Sequence, residues 1–330
     1  MSRVPTVPRD DRMLVIFCGT QFPEAPRAIR GKLRRFADVE VCAEEDVDAA
    51  IGRADVLIPA MVRIHDRHLE RARRLRLIQQ FATGVEGVDL AGASARGIPV
   101  CNIPAGETGN ASAVAEIALL HLVALLRRYR EAAENVQRGW LGVPVGRGLA
   151  GKRVVVLGLG AVGTEVVRRL VAYDASVVCV SRRGQTDGLA TARALGAQGY
   201  LPLEELAAAL AGADALVICL RYSAEHANLV SRKELAAMNP RGVVVNVARG
   251  GLLDHDAICE ALDSGHLVGA GLDVYWEEPP DARDRFFKHE TSTTPHIGAV
   301  TEEVYGRMAD VVADNLERLR SGAPLRYRVV

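Results

Sequence analysis

Along this chain, short runs in which nearly every position is Val, Ile, Leu or Ala alternate with longer stretches whose apolar residues recur every three or four positions. A strand with one wet face would alternate apolar and polar residues, so runs apolar throughout predict strands buried on both sides. The first third carries MLVIFCG (13–19), VEVC (39–42), DVLIPA (55–60), LRLIQQF (75–81) and IPVCN (98–102). A second block carries KRVVVLG (152–158), SVVCV (176–180), ALVICL (215–220), GVVVNVA (242–248) and VGAGLDV (268–274). Helix-length spacings between the runs predict α/β architecture twice over, each unit a doubly wound parallel sheet.

The stretch 110–136 is too long and too apolar at its start for a simple surface helix and is predicted to continue as a partner-facing helix. An amphipathic pattern over 301–322 predicts a terminal helix that returns to the first block. Ser231 and Glu234 have the spacing of a capping box. At 330 residues the chain exceeds what one core supports. The expected division is discontinuous: 1–109 with 297–330 as a substrate-binding and catalytic domain, and 110–296 as a dinucleotide-binding domain.

Forty-one basic and 41 acidic residues leave no net charge, which argues against a nucleic-acid partner, since such proteins neutralise phosphates with a basic excess. The basic run at 71–77 reads as a solvated face. No apolar run of roughly 20 residues predicts a membrane span, and no signal-like core follows the charged opening, so a cytoplasmic location is expected. Six dispersed cysteines without a Cys-x-x-Cys pair read as buried free thiols, with no metal site expected.

In VVVLGLGAVG, Gly158, Gly160 and Gly163 follow a strand and open a helix, the context a dinucleotide site requires. Gly158 serves the tight turn, Gly160 backbone approach to a pyrophosphate, and Gly163 helix-to-strand packing. The phosphates are expected at Ala161 and Val162, on the helix N-terminus. After the next strand, an Asp or Glu would bond a ribose 2′-hydroxyl, but this chain has Ser181, Arg182 and Arg183. Guanidinium groups suit a 2′-phosphate. NADP(H) is therefore the expected preference, with a pocket that also takes NAD(H) as the alternative. Leu220, Arg221 and Val247, at or beyond the following strands, complete the expected cofactor set with Asp273.

Three further side chains suggest a reaction. Arg249 follows one strand, Glu278 lies beyond another, and His296 comes later in TPHIG. Together they offer a cation for a carboxylate, a histidine to move a proton, and an acid to orient and charge that histidine. Each also has a plain structural reading, as a loop salt bridge, a surface acid and a core histidine.

With FATGVEGVD, GLGAVG, NVARGGLLD, LDVYWEEP and TPHIGAVTEEV in this order, nearly the whole chain resembles the D-isomer-specific 2-hydroxyacid dehydrogenases. The resemblance implies a Rossmann-type cofactor domain inserted in a flavodoxin-like substrate domain. It implies reversible hydride transfer between NAD(P)H and a small 2-oxo acid, giving the D-2-hydroxy acid as domain closure excludes water. Arg249 then resembles the substrate-binding arginine, His296 the acid/base, Glu278 its partner, and Asp273 the aspartate beside the nicotinamide. Thr83, Gly84 and Val85 resemble the loop whose amides hold the substrate carboxylate. A homodimer built on the dinucleotide domain, in contact through 110–136, is also implied. Two departures stand out: Leu220-Arg221-Tyr222 replaces the usual proline, and Trp276 either narrows the pocket or packs beneath its loop. Met61 and Arg63 are candidates to reach the cleft. The same fold also serves a nucleotide-sensing corepressor, the alternative from another class.

Overall fold

The computed structural model describes residues 12–330; the opening segment read above for targeting signals lies, through residue 11, outside the described residues. The chain divides into two compact units, one made of residues up to Gly109 together with Thr301–Val330, the other of Asn110–Val300. The second unit thus runs past the expected end at 296. The reason is local: the Ile297 and Gly298 amides both donate to Asp273, at 2.8 Å each, tying this turn to the sheet of the second unit.

The first unit contains β1 (Met13–Cys18), β2 (Ala37–Cys42), β3 (Val56–Ile58), β4 (Leu77–Gln79) and β5 (Val100–Cys101). They form one parallel sheet in the order β2-β1-β3-β4-β5, the flavodoxin-like order. The predicted terminal helix spans Glu302–Ser321, begun by the Thr301 side chain accepting from the Val304 amide and ended by Gly322 at φ 73°. It packs in this unit: Lys32 pairs with Asp310 at 2.6 Å, and buried Asn315 bonds buried Gln79 at 2.7 Å. The last residues then run along β5, where the Val329 amide donates to Val100 O at 2.7 Å.

The second unit contains β6 (Arg153–Leu157), β7 (Ser176–Ser181), β8 (Gly199–Pro202), β9 (Ala215–Ile218), β10 (Gly242–Asn246), β11 (Leu267–Leu272) and β12 (Thr291–Thr293). Their order is β12-β11-β10-β9-β6-β7-β8, all parallel. Counted from β6 this is 3-2-1-4-5-6 with a seventh strand added, the doubly wound dinucleotide-binding order. The apolar runs are explained by burial on both faces. Val155 and Leu157 enter one core with Ile258 and Leu262, while Val154 and Val156 enter another with Leu122, Leu125 and Val166.

β8 and β12 are absent from the predicted strands because each is an edge with one neighbour, and neither GYLP nor TST is an apolar run. The predicted helix over 110–136 is two helices, Asn110–Arg127 and Tyr129–Gln137, separated by Arg128 in the left-handed region at φ 52°. The first of these is long and apolar enough to cross a membrane by composition, yet Ala115, Ala118, Leu122 and Leu125 are core residues of the unit. The capping box is present at the start of Arg232–Ala236.

Candidate active site

Strands β10 and β11 and the segment after β12 bring the three predicted side chains out at the C-terminal end of the second unit's sheet, where open α/β sheets hold ligands. Asn246, fully buried at the end of β10, shapes the first loop: its Oδ1 accepts from the Ala248 amide at 3.0 Å and its Nδ2 donates to Arg249 O at 2.8 Å. Arg249, half-buried, is thereby fixed at the strand end, and its Nη1 donates to Ala248 O at 2.7 Å.

Glu278 and His296 meet. Glu278 Oε2 lies 2.7 Å from His296 Nδ1, and Glu278 Oε1 accepts from the Tyr275 amide at 3.0 Å. Burial pushes the Glu278 carboxyl up, but the hydrogen bond and charge of His296, the Tyr275 amide and the Arg249 charge outweigh it, and the group lies below its ordinary range. It is an anion at neutral pH.

His296 stands at φ 55°, a backbone conformation a non-glycine residue holds only when its surroundings enforce it. The enforcing group is Asp273. Buried beyond the end of β11, it accepts from the Ile297 and Gly298 amides and, at 2.7 Å, from the Thr294 hydroxyl, so its carboxylate grips the turn on both sides of the histidine. Burial raises the Asp273 carboxyl in spite of these bonds. Behind it, fully buried His121 lies 3.0 Å from Thr294 Oγ1 through Nε2 and 2.8 Å from Ser292 Oγ through Nδ1. Because Thr294 gives its proton to Asp273, it accepts from His121, which assigns the proton to Nε2 and makes Nδ1 the acceptor from Ser292. Desolvation keeps this imidazole neutral, lowered to about 4.

The glycine turn has the form a dinucleotide diphosphate needs. Gly158 sits at φ 104°, and a Cβ there would come within 2.6 Å of the Leu220 amide; a Cβ on Gly163 would strike the Gly158 carbonyl. A Cβ on Gly160, by contrast, would meet nothing within 4 Å. The helix Ala161–Ala172 starts there with no side-chain cap, so its first-turn amides and positive dipole end point at this open approach. Across it, Arg183 donates to Leu159 O at 3.3 Å.

Known proteins share both the sequence pattern and the fold of this chain. A family model described as "D-isomer specific 2-hydroxyacid dehydrogenase, NAD binding domain" matches residues 119–298. The chain belongs to that family. It is 31% identical over 282 residues to a glyoxylate reductase of Thermococcus litoralis, covering 82% of each chain. The TT0316 protein of Thermus thermophilus superposes with a TM-score of 0.83 at 31% identity, over 96% of this chain and 100% of that one. An NADPH-dependent glyoxylate/hydroxypyruvate reductase from Sinorhizobium meliloti, solved with NADP and malonate, superposes with a TM-score of 0.81 at 26% identity, over 97% of each. The chain is an NAD(P)-dependent D-2-hydroxyacid dehydrogenase, an enzyme, and these matches lend no support to the corepressor alternative.

The remaining predicted residues of this dehydrogenase fall as follows. Arg182 and Arg183 are exposed beyond β7, but Ser181 is buried, with Oγ 3.1 Å from the Tyr200 hydroxyl and accepting from the Arg183 amide. Its hydroxyl is turned inward and shapes the loop. Tyr200 donates to Arg183 O at 2.6 Å, a contact invisible in sequence because Tyr200 lies on an edge strand 17 residues away. Leu220 and Val247 are buried at their strand ends, and Arg221 is exposed. Trp276 packs beneath its loop, its Nε1 donating to Leu253 O at 2.5 Å and its ring edge-on to His255 and Phe286. In the first unit, Thr83 donates to Ile103 O at 2.8 Å, Gly84 and Val85 are buried beside it, and Met61 and Arg63 are exposed after β3. Asn102 ties that loop down by donating to Thr83 O at 2.7 Å. His121, Asn246, Thr294 and Tyr200 are the residues that motif reading missed; all act through other residues.

Proposed function

We propose that this dehydrogenase reduces a small 2-oxo acid to its D-2-hydroxy acid with a preference for NADPH, through Arg249, Glu278 and His296. The observation that carries the reading is the 2.7 Å pair between His296 Nδ1 and an ionised Glu278 at the mouth of a dinucleotide-binding sheet. When bound, the dinucleotide supplies the hydride to the acid's C2. Arg249 binds the carboxylate and polarises the carbonyl, placing a fixed cation where negative charge develops. His296 delivers a proton from Nε2 to that oxygen, while Glu278 holds the ring in orientation and balances its charge. In the first unit, the loop of Thr83, Gly84 and Val85 is the candidate to offer backbone amides to a carboxylate.

The cofactor preference is supported by the two exposed guanidinium groups beyond β7, one of them over the glycine turn, where a carboxylate would bind a 2′-hydroxyl. A homodimer through the second unit is supported by the apolar side chains of its first helices and the following loop, including Leu120, Val136, Trp140 and Leu141, the last 93% exposed; such a patch marks an interface. Monomer mass in light scattering would remove that reading. Six free thiols fit a reducing, cytoplasmic compartment. A spectrophotometric screen of glyoxylate, hydroxypyruvate, pyruvate and aromatic 2-oxo acids with NADPH and NADH tests the whole; the proposal expects turnover, faster with NADPH. Inactivity across the panel, with tight nucleotide binding retained, would overturn it.

A further inference from the structure

We propose that His255, Cys259 and Asp284 form a binding site for a zinc-class divalent cation. The three donors, one from each residue, lie within 4.8 Å of one another. His255 Nε2 is 3.0 Å from both Asp284 oxygens and 3.9 Å from Cys259 Sγ. A tetrahedral zinc with sulfur at ~2.3 Å and nitrogen or oxygen at ~2.0 Å holds its ligand atoms roughly 3.3–3.6 Å apart, so small side-chain rotations close the set and water takes the fourth position. The donor types suit zinc: one thiolate, one imidazole and one carboxylate.

Several surrounding groups suit such a site, and one cation, Arg285, stands beside the Cys259 thiol. His255 and Cys259 lie four residues apart on the helix His255–Asp263, hence on one face, and Cys259 is fully buried against the core. Asp284 Oδ1 is fixed by the Phe286 amide at 2.8 Å, which leaves Oδ2 to turn toward the other donors. The imidazole stands edge-on to Trp276 at 4.6 Å. Its other nitrogen, Nδ1, is 3.3 Å from Asp256, the outer carboxylate that orients and strengthens a metal-bound histidine. Arg285 pairs with Asp256 at 2.8 Å. On binding, Cys259 releases its thiol proton to water and the His255 proton that bonds Asp284 moves from Nε2 to Nδ1, facing Asp256; the thiolate, Asp284 and Asp256 then balance Arg285 and a divalent charge. The cation would staple the helix to the segment after Glu278, joining two elements on which Trp276 already packs.

The test uses full-length protein stripped with a chelator and titrated with zinc by calorimetry and with cobalt by absorbance. One equivalent of each metal should bind, cobalt should show a thiolate charge-transfer band, and zinc should raise the Tm. Cys259→Ser should abolish the band, and both it and Asp284→Asn should weaken binding by at least ~10-fold, as loss of a supporting group already does. Asp284→Asn, on a half-exposed residue, keeps the test decisive if the cysteine variant does not fold. No saturable binding, or binding unchanged in both variants, would overturn the proposal. None of these readouts passes through hydride transfer, so failure here and failure of the reductase reading are distinguishable.

Discussion

His121 turns acidification into a measurable loss of stability. In the unfolded chain an imidazole takes up a proton near its ordinary 6.5; in the folded second unit this one does not until about 4. A base whose folded value is lowered binds more protons when unfolded, so stability is unaffected above pH 6.5 and is lost as pH falls toward 4. The separation implies a loss of about 2 kcal/mol at pH 5 and about 3 kcal/mol near pH 4 from this group. Full burial justifies using the shift without a discount for solvent screening. The perturbation is His121→Gln, whose amide can still donate to Thr294 but does not titrate. At pH 7 the variant should be less stable than the parent by about 1–3 kcal/mol, since Ser292 loses its acceptor. Urea unfolding of both proteins between pH 7 and 4.5 checks the argument: the parent should lose about 2 kcal/mol more than the variant on reaching pH 5. Parallel losses would refute the neutral buried imidazole, and with it the tautomer assigned from the Thr294 bond.

Three further outcomes follow from the site. His296→Ala should reduce kcat by about 100- to 10,000-fold, the range of a lost acid/base, while NADPH binding measured by fluorescence is retained; unchanged turnover would remove the histidine from the mechanism. Replacing Arg182 and Arg183 together by Ala should abolish the NADPH-over-NADH ratio of kcat/KM with little change in the NADH value, and a preserved ratio would show that the loop does not read the 2′-phosphate. Thr294→Val keeps the side chain's shape but removes the donor to Asp273, so kcat should fall on the order of 10- to 100-fold through displacement of the His296 turn, with nucleotide affinity unchanged; an equal loss of nucleotide binding would mean the sheet end itself had been disturbed.

The parts of this enzyme legible in the sequence are those in which a residue type alone dictates the structure. Val154 to Leu157 must be buried on both faces, and only glycine fits at 158 and 163, so the sheets and the cofactor turn could be read directly. Arg249, Glu278 and His296 could be read because charge and proton transfer need those groups. What remained hidden depends on register between distant segments. His121 lies in what reads as an apolar helix, and nothing in TST or TPH says that its partners come from there. Nothing near Ser181 in the sequence names Tyr200, 19 residues on, as a partner of its hydroxyl. Arg128 interrupts a pattern that is helical on both sides. Likewise a cysteine four residues after a histidine carries no metal signature until the chain returns with Asp284.

The discontinuous first unit has a consequence for synthesis. Residues 110–300 leave the ribosome as a complete unit, whereas the first 109 residues wait for Thr301–Val330 before their terminal helix and the strand-like segment along β5 exist. Until Val329 pairs with Val100, the outer edge of β5 is an open row of backbone donors and acceptors, the kind of edge that recruits other chains. The second unit should therefore be the first to fold on the ribosome, and premature termination between 301 and 328 should yield chains that bind nucleotide yet aggregate.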